Sequence, residues 1–140
     1  MTEHSKYLVV GSSHAALEAV TAIRMHDSEG SLTLLTRDAH LPYSPTVLPY
    51  VVNGYSKPER IFLRDDDFFA ANKVTYRRGA ALKTLHAGRN TAQLADGSEI
   101  AYEKILLATG ASPAVPPIPG IELVKYHVLR TLDDATALNA

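Results

Sequence analysis

Residues 7–10 read YLVV, apolar on both faces, and run into Gly11; residues 14–25, HAALEAVTAIRM, then carry neither glycine nor proline. A second apolar run, SLTLLT, follows over residues 31–36. That succession leaves few architectures open. A strand without alternation is one buried on both faces, as parallel sheets require. The intervening segment places Leu17, Val20, Ile23 and Arg24 at helical spacing, which gives a helix with one stripe to bury. Strand, helix and strand within about 30 residues make a βαβ unit, whose crossover is right-handed.

The remainder extends this frame. LPYSPTVLPYVVNG has three prolines and a closing glycine, so a loop leading into a short helix over 46–52 is expected. RDDDFFAAN puts three acids ahead of an apolar pair, where carboxylates meet the positive end of a helix dipole. KVTYRRG reads as the next strand. Beyond it, alternating runs surround the turn signals AGRN and ADGS, and Asp96-Gly97 predicts a hairpin. A last strand over 104–108 is expected to be buried on both sides. A proline-rich exit, PAVPPIPG, leads to a helix beginning in TLDDATALNA. The predicted fold is α/β, a Rossmann-like doubly wound parallel sheet with a small antiparallel β-meander insertion.

Composition removes several functions. The 140 residues carry a net charge of -1 and no basic cluster, so nothing draws the chain to nucleic acid or an acidic membrane surface. No apolar run approaches the roughly 20 residues of a spanning helix, and a cytoplasmic protein is the simplest expectation. The absence of cysteine excludes a disulfide framework, a thiolate metal site and a catalytic thiol within this chain. The six histidines show no metal-ligand spacing, and no catalytic side chain is expected.

Sheets of this kind bind ligands at the carboxyl ends of their strands, which directs attention to three places. At the first, the dinucleotide fingerprint asks for glycines that allow a tight turn, backbone approach to pyrophosphate and close helix packing. The corresponding residues are Gly11, Ser13 and Ala16, with Ser12, His14 and Ala15 between them. The Ser13 hydroxyl can donate to a phosphate beside the helix amides. His14 fits either a solvated first-turn position or a phosphate contact. The residues alone suit a phosphate cradle and an ordinary strand-to-helix turn equally. At the second place, where an acid usually meets a ribose, stand Thr36, Arg37 and Asp38. Asp38 serves there if the strand end shifts by one residue, and otherwise forms a turn. The third is Ala108, Thr109 and Gly110 at the end of the last strand.

Taken together, the glycine turn, LPYSPTVLPYVVNG, TAQLADGSEIAYEKILLATGASP, PPIPG and LRTLDDATAL give a sequence that resembles, over essentially its whole length, the N-terminal FAD-binding part of the pyridine-nucleotide-disulfide oxidoreductase superfamily. The resemblance implies FAD as cofactor and NAD(P)H as co-substrate. It implies that Ala108, Thr109 and Gly110 close the flavin site by backbone contact, and that main chain near Ala81 and Leu82 meets adenine. PTVLPYVVNG resembles the segment of coenzyme A-disulfide reductases and NADH oxidases in which a redox cysteine sits three residues before PY. Thr46 holds that register, so the thiol chemistry is absent.

What the resemblance then implies is the cysteine-free branch, similar to the flavin modules of rubredoxin, ferredoxin and nitrite reductases. The resemblance implies that hydride passes from nicotinamide to flavin and that electrons leave for a protein or small-molecule acceptor. A larger 2-oxoacid or aryl-glyoxylate dehydrogenase complex also fits, as does a homo-oligomer. That branch often has an RPPLSK-like segment, and here Pro45 and Tyr50 replace its Arg and Lys. Superfamily members carry further nicotinamide and interface domains, so residues 1–140 are expected to be an FAD-binding fragment, inactive alone. A non-catalytic scaffold that has lost FAD is the other reading.

Overall fold

The computed structural model describes residues 3–139. These form two compact units, one of residues 3–43 and 63–109 and the other of residues 44–62 and 110–139. The first is built on a six-stranded sheet. Its strands are β1 (Glu3–Val10), β2 (Leu32–Leu35), β3 (Val74–Arg77), β4 (Leu82–His86), β5 (Thr91–Leu94) and β6 (Glu99–Leu107), in the order β3-β2-β1-β6-β5-β4. The first four neighbours are parallel, and β4, β5 and the start of β6 form an antiparallel meander. The predicted α/β frame is observed.

Alternation along the strands sorts the core into two layers. Val9, Leu32 and Leu34 face α1 (His14–His26), burying Ala16, Leu17 and Val20 with Phe69 of α3 (Asp66–Ala71). Leu8, Val10 and Leu35 point the other way, onto Ala92, Leu94, Ile100 and Tyr102 of the meander. Each fully buried leucine contributes about 1.5–3 kcal/mol, so both faces of β1 and β2 are strongly fixed. The second face, which a doubly wound fold gives to a helix, is covered here by the antiparallel strands.

Two local expectations hold and one is corrected. Asp65 caps α3 by accepting the Phe68 amide at 3.1 Å, and Gly97 turns the β5–β6 hairpin with φ +87°. The separate last strand over 104–108 is instead the second half of one nine-residue strand, β6. Its first half pairs with both β5 and β1, whereas beyond Tyr102 its ladder is with β1. Nor is that half buried on both sides, for Leu106 and Leu107 are 41% and 51% exposed.

The α1–β2 connection is closed by Asp27. One carboxylate oxygen accepts from Lys6 Nζ at 2.7 Å and the Tyr7 hydroxyl at 3.0 Å; the other accepts the amides of Gly30 and Glu29 at 2.7 and 3.1 Å. The Lys6 ammonium foremost, then those amides, hold the Asp27 carboxyl far below the usual carboxylate range. A depressed folded value means stability that is complete above the unfolded value near pH ~4 and is lost as pH falls through the folded one. Asp27→Asn is therefore expected to lower the urea midpoint by a constant amount from pH 7 down to about pH 5, the gap to the parent closing below about pH 4. A gap unchanged down to about pH 2 would rule out the charge as its cause.

In the second unit, α2 (Leu48–Val52) packs against α4 (Leu132–Asn139), with Leu48, Val51, Leu132 and Ala135 buried. Thr131 and Asp134 cap α4 reciprocally, Thr131 N–H donating to the carboxylate at 2.8 Å and Asp134 N–H to the hydroxyl at 3.1 Å. Residues 111–119 are exposed and have no regular structure.

Candidate dinucleotide-binding site

The turn after β1 is pinned from both sides. Gly11 N–H donates to Leu35 O at 2.8 Å, and Ala108 N–H donates to Val10 O at 2.7 Å. Gly11 has φ +121°, and a Cβ there would lie 2.2 Å from the Ala108 carbonyl oxygen and 2.7 Å from its carbon. No side chain fits. Ala16, at the third fingerprint position, is 1% exposed in the helix–sheet layer, as close packing requires.

Between them the helix start is left open. Ser13 is the N-cap of α1 in extended geometry, yet its side chain makes no cap hydrogen bond and the first turn holds no acid. Its hydroxyl donates to Tyr43 O at 3.1 Å, so the donor expected to face a phosphate is spent within the protein. The backbone amides of the first turn supply the positive end of the dipole. His14 and Ala15 are exposed there.

At the end of β2, Thr36 is buried and internally engaged. Its amide donates to Arg77 O at 3.0 Å and its carbonyl accepts from Ala80 N–H at 2.8 Å. Its hydroxyl oxygen accepts from Ser12 Oγ at 3.1 Å and from Asp38 N–H at 3.2 Å. Arg37 is exposed. The Asp38 carboxylate accepts the His40 amide at 2.9 Å, a turn-forming contact, and the Tyr43 hydroxyl at 2.5 Å.

Tyr43 and Tyr76 are residues of this corner that sequence reasoning misses; LPY and the KVTYRRG strand are the only traces of them. Tyr76 stacks on Phe69 with centroids 4.0 Å apart and donates to His40 O at 3.3 Å. Burial pushes its phenol up to about 12, so it stays a neutral donor.

The other candidates divide between the units. Ala81 O accepts the Ala95 amide at 2.8 Å, and the Leu82 side chain packs on the meander core. Ala108 abuts Gly11, and Thr109 beside it is exposed. The first unit thus brings together the Gly11 turn, Thr36, Arg37, Asp38 and Ala108. Thr46 and Gly110 belong to the second unit. There Thr46 is exposed, its hydroxyl 2.7 Å from that of Ser44, and Gly110 has φ +67°. Among the described residues no group of three or more His, Cys, Asp or Glu could hold a metal, and no helix is long and apolar enough to cross a membrane.

A turn that the Ala108 backbone restricts to glycine, followed by a helix start with no side-chain cap and no acid, fits a dinucleotide pyrophosphate. Comparisons with known proteins give the family. The chain is 78% identical over 136 residues to the NADH-dependent phenylglyoxylate dehydrogenase subunit epsilon of Aromatoleum evansii, covering 97% of this chain and 32% of that one. It is 30% identical over 132 residues to rubredoxin-NAD(+) reductase of Pseudomonas putida, covering 94% and 34%. In fold it matches NADH:rubredoxin oxidoreductase of Clostridium acetobutylicum with a TM-score of 0.84 at 19% identity, covering 98% of this chain and 35% of that one. The chain spans about a third of the length of the curated relatives it matches. Residues 5–140 match the pyridine nucleotide-disulphide oxidoreductase family, and the chain belongs to that family of oxidoreductases.

Proposed function

We propose that residues 1–140 are the FAD-binding part of a flavin-dependent NAD(P)H oxidoreductase and that the turn from Gly11 to α1 carries the FAD pyrophosphate. The observation that carries this reading is the Gly11–Ala108 approach, with a virtual Cβ at 2.2 Å from a backbone oxygen. That packing allows only glycine at the turn, and the α1 start beyond it has neither a side-chain cap nor an acid in its first turn, which suits a doubly charged pyrophosphate. When bound, FAD supplies the redox chemistry, taking a hydride equivalent from NAD(P)H and releasing electrons to an acceptor. This chain's residues bind and orient it. Gly11 and Ser12 give main chain, α1 gives its dipole, and Thr36 and Asp38 shape the ribose-side corner.

The acceptor is proposed to be a protein, with the chain serving as the NADH-oxidising subunit of a dehydrogenase complex acting in the cytoplasm. Its 78% identity to a subunit of a phenylglyoxylate dehydrogenase supports that form over a free-standing reductase. The parent enzyme, not residues 1–140 alone, is proposed to be active.

Ala15→Glu tests the site without threatening the fold. Ala15 is exposed in the first turn of α1, where a carboxylate favours the helix dipole by about 0.3–1 kcal/mol and repels phosphate. FAD affinity is expected to fall at least about 10-fold, or about 1.4 kcal/mol, with the melting temperature level or slightly raised. Equal FAD affinity of the parent and Ala15→Glu would mean that the turn does not hold the pyrophosphate.

A further inference from the structure

The side chains around the turn close into a ring. Ser12 donates to Thr36 Oγ1, which also accepts the Asp38 amide; Asp38 accepts the Tyr43 hydroxyl; and the Tyr43 carbonyl accepts from Ser13. The peptide bond between Ser12 and Ser13 completes the circuit. Tyr43 is its only aromatic member, 8% exposed, and it bonds at both ends. Its hydroxyl reaches the corner after β2 and its backbone reaches the N-cap of α1.

From this juxtaposition we propose that Tyr43 is a positioning residue for the adenosine half of the cofactor. It sets the span between the phosphate turn and the ribose-side corner without touching the nucleotide, a role that rests on the FAD reading above. Two features favour positioning over simple core support. Ser13 gives up the capping bond usual for a serine at that place in order to hold the Tyr43 carbonyl. Asp38, the acid nearest the ribose corner, has its carboxylate oriented by Tyr43 and by the His40 amide together. A hydrogen-bonded circuit of this kind loses its geometry when any member is cut, so its losses are shared and not summed.

The test uses Tyr43→Phe, which keeps the buried ring and removes one hydroxyl, Ser13→Ala, and the two combined. Amide hydrogen exchange is read first, without FAD. Tyr43→Phe is expected to speed exchange at the Asp38 and His40 amides by about ten-fold, with exchange in β1 and β2 unchanged. FAD titration is read second. Each single change is expected to weaken binding about three- to ten-fold, and the double variant to bind no worse than the weaker single one. Unchanged exchange at Asp38 and His40, or penalties that multiply in the double variant, would overturn the role. The exchange arm needs no ligand, so its outcome is independent of that of Ala15→Glu: a parent that fails to bind FAD removes the functional reading, while unchanged exchange removes the ring.

Discussion

Gly11→Ala is expected to cost about 3 kcal/mol of stability or more and to lower the melting temperature by roughly 10 °C. Two effects add. A backbone held at φ +121° strains any L side chain by about 1–3 kcal/mol. The new methyl carbon would also sit 2.2 Å from the Ala108 carbonyl oxygen, and overpacking of that kind costs about 1–3 kcal/mol. Relief by movement is blocked, because Ala108 N–H is tied to Val10 O at 2.7 Å and shifting it would open the β1–β6 ladder. Gly97→Ala is the control. Its φ is +87° with no atom within 4 Å of the added carbon, so only conformational strain of about 1 kcal/mol applies. Equal melting temperatures for the two variants would contradict the tight approach.

Arg24→Met should produce the next largest loss, about 2–3 kcal/mol. The Arg24 guanidinium donates to four backbone carbonyls: Asn72 at 2.6 Å, Asp27 and Gly30 at 2.9 Å, and Lys73 at 3.0 Å. It therefore joins the end of α1, the loop before β2 and the turn before β3. Hydrogen bonds to a charged group contribute about 1.5–3 kcal/mol each, but these carbonyls lie near the surface and recover water, so the four do not sum. Methionine keeps the aliphatic stem and isolates the guanidinium. Arg24→Lys should recover less than half of the loss, since an ammonium cannot span the fork of acceptors. Urea unfolding at constant m-value measures both; a loss for Arg24→Met below about 0.5 kcal/mol would place it with ordinary surface changes.

Arg24 also marks a limit of what residue patterns convey. Its helical spacing with Leu17, Val20 and Ile23 is visible in the sequence, and the stripe is buried as expected at Leu17 and Val20. That its polar end collects carbonyls from residues near position 72 is a tertiary fact with no local signature. The β1–α1–β2 unit is legible because parallel strands buried on both faces leave a continuous apolar run. The β5–β6 hairpin is legible because Asp96-Gly97 is turn chemistry. β6 reads as a separate final strand because Glu103 interrupts its apolar pattern, although it is exposed there and the strand runs on. Covering one sheet face with the meander is equally hidden, since alternation marks a half-buried strand without saying on what it lies. At the site, the glycine requirement can be read from residue type. The hydroxyl of Ser13, turned toward Tyr43 O, cannot.

The position of β6 also sets the order in which the chain can assemble. β1 pairs on one side with β2, close in sequence, and on the other with β6, where Glu3 meets Ile100 and Val10 meets Leu107. During synthesis the N-terminal strands emerge first, so β1 and β2 can pair around α1 while the other edge of β1 stays open. Closure of that edge is a long-range step and carries the largest loop entropy in the unit. The hairpin at Asp96-Gly97 shortens the search, because β5 and β6 can pair locally and arrive together. The last ladder to form is then β1–β6, the same one that brings Ala108 against Gly11. On the proposed reading, a dinucleotide seated on that turn would wait for β6 to dock.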